Sequence, residues 1–394
     1  MVHSSTEPGV LRAHYAIVFG QPWPVIPTAL LIGTLNVFLF AFDRPWTASD
    51  GFRNWGDWLL QSLGLLHRPE LVSPFLYSGS ILNLGVLIGA LTAALLSREF
   101  AIRGAPLGEL VKGGVGGLLM GLGANLAFGC NIGGFFSALA ALSMSGIVMM
   151  LGLGIGSYLG LRYLLWELAR WPGLSAGLSS PCCAPKSSGR GWQPVLGSFT
   201  LLLLLSLPLW YSRLGYTRQA GFLLFGVAFG MLFQRSRFCL VRAFREPFLT
   251  GEAEHTRAAA MALILSMIGF AILKAMDLKD ATDWVFPGFW TGGLVGGLLF
   301  GLGMVLAGGC GAGSIWRAGE GHVKLWVAVA FFAVGGSLSR LMLVHTQLLQ
   351  KLGTAVFLPN LVGWQRAVSL VVALLLSWYV FATWNERSRK FSLT

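Results

Sequence analysis

Charged residues are scarce in this sequence, and their scarcity excludes most classes of protein. Asp, Glu, Lys and Arg make up 11% of the 394 residues, whereas 55% are hydrophobic. Ordinary soluble domains carry roughly 25% charged residues, so a soluble enzyme of this length could hardly cover its surface with so few. The same composition excludes intrinsic disorder, coiled coils and collagen. The sequence therefore predicts an all-α polytopic membrane protein.

Signatures of nucleotide and metal chemistry are also missing. The sequence contains neither a GxxxxGK[ST] phosphate-binding loop nor an HExxH zinc motif. Its five cysteines show neither CxxC spacing nor the density of a disulfide framework. We therefore expect no metal site, no bound cofactor and no ATP hydrolysis, and a transporter or channel rather than an enzyme.

Ten apolar runs are long enough to cross a bilayer, because a transmembrane helix needs about 20 residues. They cover residues 23–42, 74–97, 110–128, 146–166, 196–213, 216–234, 258–275, 289–308, 324–343 and 365–384. The first run lacks a small-residue cleavage site, so we expect a retained membrane anchor rather than a signal peptide. A shorter amphipathic segment, Gly56–Leu66, predicts an interfacial helix.

Basic residues set the expected orientation. The net charge of +12 does not indicate a nucleic-acid partner, because Lys and Arg are scattered between the apolar runs. With the N-terminus inside, 17 basic residues lie inside and nine outside, while Lys112 and Arg340 fall within spans. The positive-inside rule therefore predicts that both termini are cytoplasmic.

An internal repeat divides the chain. Gly117–Gly133 (GLLMGLGANLAFGCNIG) matches Gly297–Gly313 (GLLFGLGMVLAGGCGAG) at an offset of 180, with 11 identities in 17 positions. The copies lie in the third and the eighth predicted spans; because these positions differ by the odd number five, the repeats are inverted, with pseudo-twofold symmetry. The linker 171–195 separates a first half, 1–170, from a second half, 196–394.

Glycines explain how the two copies could meet. Residues 113, 117 and 121, and likewise 293, 297 and 301, are glycines four apart, a spacing that lets helix backbones approach closely in lipid. We expect the two helices to cross through the pairs 117/297 and 121/301.

Each copy ends in a Gly-Cys pair that breaks the helix where a span should end. These breaks are Gly129-Cys130-Asn131 and Gly309-Cys310. No charged residue occurs from 113 to 161, which favours a re-entrant loop at membrane depth, where freed backbone amides could bind an anion. The alternative is a tight turn in which cysteine is a small hydrophobic residue.

A third cysteine lies among arginines at the inner end of a predicted span. Cys239 is flanked by Arg235, Arg237, Arg242 and Arg245. These cations could attract an oxyanion and favour the thiolate, or they could simply obey the positive-inside rule.

The pattern GxxxGLGxxLAxGC, present twice, together with the QRSRFC block, resembles the YeeE/YedE family of bacterial inner-membrane sulfur-compound transporters. The resemblance covers nearly the whole chain and is nearer to the YedE branch, which is linked to selenium metabolism. It implies that Cys130, Cys239 and Cys310 contact a thiosulfate-like or selenite-like anion on loops at a central constriction. The segment Ser97–Arg103 (SREFAIR) loosely resembles SRFCLVR but lacks its cysteine, so three thiols are expected instead of four.

The expected pathway residues are Cys130, Cys239, Cys310, Gly129, Gly309, Asn131 and Arg237. The partners are a small sulfur or selenium anion and the lipid bilayer. Adjacent Cys182 and Cys183 could deliver sulfur or selenium to a small cytoplasmic carrier protein, or could be an incidental pair. Two other functions stay open: a membrane sulfurtransferase with a persulfide on Cys239, and a structural scaffold.

Overall fold

The computed structural model describes residues 15, 17–68, 70–171 and 191–393, and over these ranges it contains α-helices and no β-strand. Nine helices in this part are long and apolar enough to cross a bilayer. A tenth is counted if Leu107–Leu126 and Asn131–Ala140, bent by 42° at their junction, form one span. The prediction of an all-α polytopic protein with about ten spans is confirmed.

The helices follow a repeated order of long and short elements. The first half contains α1 (Val25–Phe42), α2 (Ala48–Ser62), α3 (Ser78–Leu96), α4 (Leu107–Leu126), α5 (Asn131–Ala140, mostly π-helical) and α6 (Met144–Arg170). After α7 (Trp192–Arg213), the same order returns in α8 (Thr217–Ser236), α9 (Leu240–Leu249), α10 (Glu254–Ala275), α11 (Thr291–Ala307), α12 (Gly311–Gly319) and α13 (Val323–His345). The short α14 (Leu358–Val362) and the long α15 (Trp364–Ser388) follow.

Helices of one half pack mainly against helices of the other. The helix α4 packs along α13, and its counterpart α11 packs along α6. In the same way α3 packs along α8, and α10 packs along α1. The two Gly-rich helices α4 and α11 also contact each other at the centre. A site between the Gly-Cys breaks therefore lies at the interface of the halves.

The glycines that bring α4 and α11 together are not the predicted ones. A Cβ atom on Gly116 would lie 2.5 Å from the Gly303 carbonyl oxygen, and one on Gly123 would lie 2.6 Å from that of Gly296. Gly117 and Gly121 instead face the backbone of α13, while Gly297 and Gly301 face that of α6. The expected crossing through 117/297 and 121/301 is therefore wrong, because those glycines lie on the helix face that contacts the other neighbour.

The predicted interfacial segment Gly56–Leu66 covers the second part of α2 and the turn after it. The helix begins at the fully buried Ala48, and a Cβ on Gly56 would clash with the Ala333 carbonyl of α13. One face of α2 therefore packs on α13. Leu59, Leu63 and Leu65 are exposed, so the interfacial position of this segment stays a prediction.

Buried ion pairs explain the lysine that lies inside the third predicted span. Lys112 Nζ lies 2.9 Å from Glu167 Oε1 and also contacts Glu109. Lys324 Nζ lies 2.6 Å from Glu109 Oε2. The network joins α4, α6 and α13, and it satisfies charges that would be costly if they faced lipid alone.

Replacing Gly116 with Leu should disrupt the crossing of α4 and α11. Even a methyl group would meet the Gly303 carbonyl, and overpacking of this kind costs about 1–3 kcal/mol or more. We expect a lower melting temperature in detergent and a smaller yield of monodisperse protein.

The matched control is Gly154→Leu in α6, where a Cβ would meet no atom within 4 Å. This variant should melt like the parent protein. Equal melting temperatures for Gly116→Leu and the parent would contradict the proposed close crossing.

Candidate functional site

The three predicted thiols lie together in the centre of the protein. Cys130, Cys239 and Cys310 are buried and free. The sulfur atoms of Cys239 and Cys310 are neighbours, because a Cβ on Gly313 would lie 3.1 Å from both of them. A Cβ on Gly311 would lie 3.5 Å from the Cys130 sulfur. We call these three residues the thiol layer.

The Gly-Cys breaks place two of these thiols at the beginnings of the short helices. Cys130 and Cys310 both have extended backbones, with φ of −72° and −84°, and form the N-caps of α5 and α12. The Cys130 carbonyl accepts a hydrogen bond from Gly134 N at 2.6 Å, and the Cys310 carbonyl accepts one from Ser314 N at 2.7 Å. Each chain segment therefore turns back into a new helix at once.

The predicted pathway residues Gly129 and Gly309 have a structural role in these turns. A Cβ on Gly129 would lie 2.5 Å from Gly134 N, and a Cβ on Gly309 would lie 2.9 Å from Ser314 Oγ. Any larger residue would push the new helix away. The glycines hold the thiols in place by leaving room for the turn.

The pseudo-twofold counterpart of Cys239 is Thr47, and the predicted correspondence with Ser97–Arg103 is wrong. Thr47 is the N-cap of α2, as Cys239 is of α9, and both have similar extended backbones. Thr47 Oγ1 lies 3.8 Å from the Cys130 sulfur. Ser97–Arg103 instead belongs to the α3–α4 connection, where Arg103 donates to the Glu320 carbonyl after α12. The layer thus pairs a hydroxyl with a thiol in one half and two thiols in the other.

Asn131 lies in the thiol layer with unmet hydrogen-bonding capacity. Its side chain is fully buried beside the Cys310 thiol, and within the described parts of the chain neither its nitrogen nor its oxygen makes a hydrogen bond of good geometry. The twofold-related position is Gly311, which carries no side chain. Since a buried unsatisfied amide is costly, this group is available to a ligand.

Two cavities approach the thiol layer from opposite sides. The first vestibule has a volume of about 180 Å³, and its lining includes Arg44, Thr47, Arg53, Gly129 and Arg340 together with the acidic Asp50. The second vestibule has a volume of about 410 Å³, and its lining includes Arg237, Cys239, Arg242, Arg245 and Arg317 together with the acidic Glu246. Arginines line both, so each vestibule favours anions.

In the first vestibule one arginine is neutralised and two are not. Arg44 lies 2.5 Å from Asp50; although burial opposes it, this carboxylate raises the pKa of Arg44 above its ordinary value. Burial raises the pKa of neighbouring Tyr77 to about 12, so this phenol stays neutral. Within the described ranges, Arg53 and Arg340 form no ion pair with a carboxylate. Arg340, which falls within a predicted span, lines the cavity.

In the second vestibule carboxylates hold most of the predicted arginines. Arg237 lies 3.1 Å from Glu99, while Arg242 and Arg245 lie 3.5 and 2.7 Å from Glu246. The fourth member of the predicted cluster, Arg235, is buried away from the cavity and donates to the Gln21 carbonyl.

Arg317, which the sequence analysis did not single out, is the exception in this cavity. Its guanidinium donates to the Gly308 carbonyl at 2.8 Å and lies over the Trp316 ring. It has no carboxylate partner in the described parts of the chain. Trp316 also lines the vestibule, and no described residue accepts a hydrogen bond from its Nε1 donor. The signal that could have found both residues is their place in the short helix after the second Gly-Cys break.

Two asparagines within the membrane spans, and the adjacent cysteines of the linker, lie apart from the thiol layer or outside the described residues. Asn83 supports the chain before α2, because its amide donates to the Ala48 carbonyl and accepts from Trp46 Nε1. Asn125 lines the first vestibule. Cys182 and Cys183 lie outside the described residues.

Comparison with known proteins gives the family. The sequence profile of a family described as sulphur transport matches residues 3–159 and 235–393. The chain is 30% identical over 319 residues to the probable transporter YedE of Escherichia coli (strain K12), and the match covers 77% of each protein. The thiosulfate transporter TsuA of Spirochaeta thermophila is 40% identical over 113 residues, 29% of this chain and 34% of that protein. With two such relatives named as transporters and a match across both halves, this multi-pass membrane protein belongs to the sulphur transport family.

Proposed function

We propose that this protein carries a small sulfur- or selenium-containing anion across the bacterial inner membrane, through the thiol layer between the two vestibules. The observation that carries the proposal is the position of three buried thiols between two arginine-lined cavities. Thiosulfate is the first substrate to test, because the relative TsuA is named as a thiosulfate transporter. Selenite is the second, from the resemblance to the YedE branch.

The chemistry of the layer suits a soft anion. Thiols are polarizable and weak hydrogen-bond donors, so they can replace part of a hydration shell without placing a fixed charge in the pathway. Asn131 adds an amide donor beside Cys310, and no other described group of the protein takes up this donor in a hydrogen bond of good geometry. Weak sites in series permit release, which a single tight site would hinder.

The direction of the pathway follows from the distribution of basic residues. The excess of Lys and Arg at one set of loops supports a cytoplasmic position for both termini. In this orientation Cys130 would be reached from outside through the first vestibule, and Cys239 and Cys310 would face the cytoplasm through the second. A small cytoplasmic sulfur-carrier protein is the partner we propose for the anion released at the second vestibule.

The thiol layer can be tested by alanine substitution. Cys130→Ala and Cys310→Ala should each reduce thiosulfate uptake into proteoliposomes at least tenfold, since each removes a donor at the constriction. Uptake of radiolabelled thiosulfate measures the rate, and size-exclusion profiles verify the fold.

Ser157→Ala is the matched control, because Ser157 is an equally buried small polar residue whose hydroxyl bonds to the Leu153 carbonyl within α6. It should transport like the parent protein. Parent-like uptake by both cysteine variants would refute the pathway. Uptake that needs a sulfur acceptor inside the liposome would favour the sulfurtransferase.

The orientation has its own test. Green fluorescent protein fused after Thr394 should fluoresce, and alkaline phosphatase fused there should be inactive, because each reports the side on which it folds. Alkaline phosphatase fused after Lys279, in the connection between α10 and α11, should be active. The reverse pattern would place the first vestibule in the cytoplasm.

A further inference from the structure

We infer that the first vestibule contains a binding site for a divalent oxyanion, formed by Arg53 of α2 and Arg340 of α13. The site lies in front of the thiol layer and holds the anion before it reaches Cys130. The existence of the site does not depend on transport, whereas its order in the pathway rests on the proposed function.

The position of Arg53 follows from the way α2 begins. The Ala48 amide donates to the Cys130 sulfur at 3.4 Å, so the first residue of α2 touches the thiol layer. Arg53 is five residues further on, about 7.5 Å along the helix axis. Its guanidinium lines the same cavity as Arg340, which is on a helix of the other half. The site therefore spans the interface of the two halves.

The charges around these two arginines leave them available. Asp50, the carboxylate of the cavity, is engaged by Arg44 and by the Tyr77 hydroxyl at 3.3 Å. Asp57, on the next turn of α2, contacts the Ser337 hydroxyl and lies 3.7 Å from Arg68. Neither carboxylate forms an ion pair with Arg53 or Arg340 in the described parts of the chain.

In the second half, the arginine that corresponds to Arg53 is paired with a neighbouring carboxylate. Counted from the N-caps Thr47 and Cys239, Arg53 and Arg245 occupy the same position, six residues further on. Arg245 is followed by Glu246, whose carboxylate lies 2.7 Å from it. Arg53 is followed by Asn54, which donates to the Val72 carbonyl and accepts from Ser80. The first half thus keeps the cation and lacks the neighbouring acid.

Two half-buried guanidinium groups in one cavity repel each other, and an anion between them removes the repulsion. Guanidinium forks bind oxyanions through paired N–H donors, which chloride cannot match in geometry. Two positive charges favour a divalent ligand over a monovalent one. Thiosulfate and sulfate share this chemistry, and selection for sulfur is left to the thiol layer.

The binding test uses the purified full chain in nanodiscs, in a Cys310→Ala background that should prevent passage; Cys310 does not line the first vestibule. Equilibrium binding of radiolabelled thiosulfate is measured at constant ionic strength. Arg53→Gln and Arg340→Gln should each weaken binding at least tenfold, and Arg340→Lys should fall between them and the parent. Sulfate should compete, and an equal ionic strength of chloride should not.

Arg213→Gln is the control, since Arg213 is exposed at the end of α7, outside the cavity, and its loss changes the net charge equally. It should bind like the background protein. Unchanged binding in both vestibule variants, or an equal loss in Arg213→Gln, would overturn the inference; melting temperatures verify that each variant is folded.

Transport by the arginine variants in the parent background separates this inference from the proposed function. Both should raise the KM for external thiosulfate at least tenfold with little change in the maximal rate. If Cys130→Ala still transports while the arginine variants lose binding, the pathway fails and the oxyanion site stands. If the cysteine variants are inactive and the arginine variants keep parent binding and KM, the oxyanion site fails alone.

Discussion

Every backbone polar group at membrane depth must find its partner inside the protein, and the Gly-Cys breaks are built around that constraint. Lipid offers no hydrogen bonds, so α4 and α11 can end at the buried Gly-Cys breaks only if a new helix begins immediately. Cys130 and Cys310 make this possible as N-caps, and the Cys130 amide is satisfied by the Ser49 hydroxyl at 3.1 Å. Because the chain turns there, cavities can enter from both sides and come close without joining.

The sequence was sufficient to predict the membrane spans and the internal repeat, but it was insufficient to predict which residues make the contacts between helices. Hydropathy predicted the spans, and the 180-residue offset predicted that Cys130 and Cys310 are related positions. The sequence did not show that Gly116, and not Gly117, contacts α11, because adjacent glycines differ only in the helix face they occupy. Thr47 had no signal either, since its likeness to Cys239 is in backbone position and not in residue type. Which arginines are free of carboxylates depends on pairing across distant helices.

The two halves share a fold and differ in chemistry. One half places a hydroxyl beside its thiol, and the other places two thiols together. Asn131 has a glycine as its counterpart, and Asn54 has a glutamate. The symmetry therefore brings the two breaks together at the centre of the protein, while the departures from symmetry make the two sides of the thiol layer unequal. In the proposed pathway, an anion that enters from the first vestibule would exchange a harder set of donors for a softer one.

The exchange of partner helices between the halves also governs how the chain can assemble. During synthesis α4 enters the bilayer before α11 and α13 exist, yet its glycines need the backbones of both. Glu109 likewise cannot pair with Lys324 until that residue, 215 positions later in the chain, has been synthesised. We therefore expect the first half to remain loosely packed until the second half has been inserted. Until then, the glycine-lined face of α4 is exposed to lipid. Completion of the fold is a late event that joins all the parts at once.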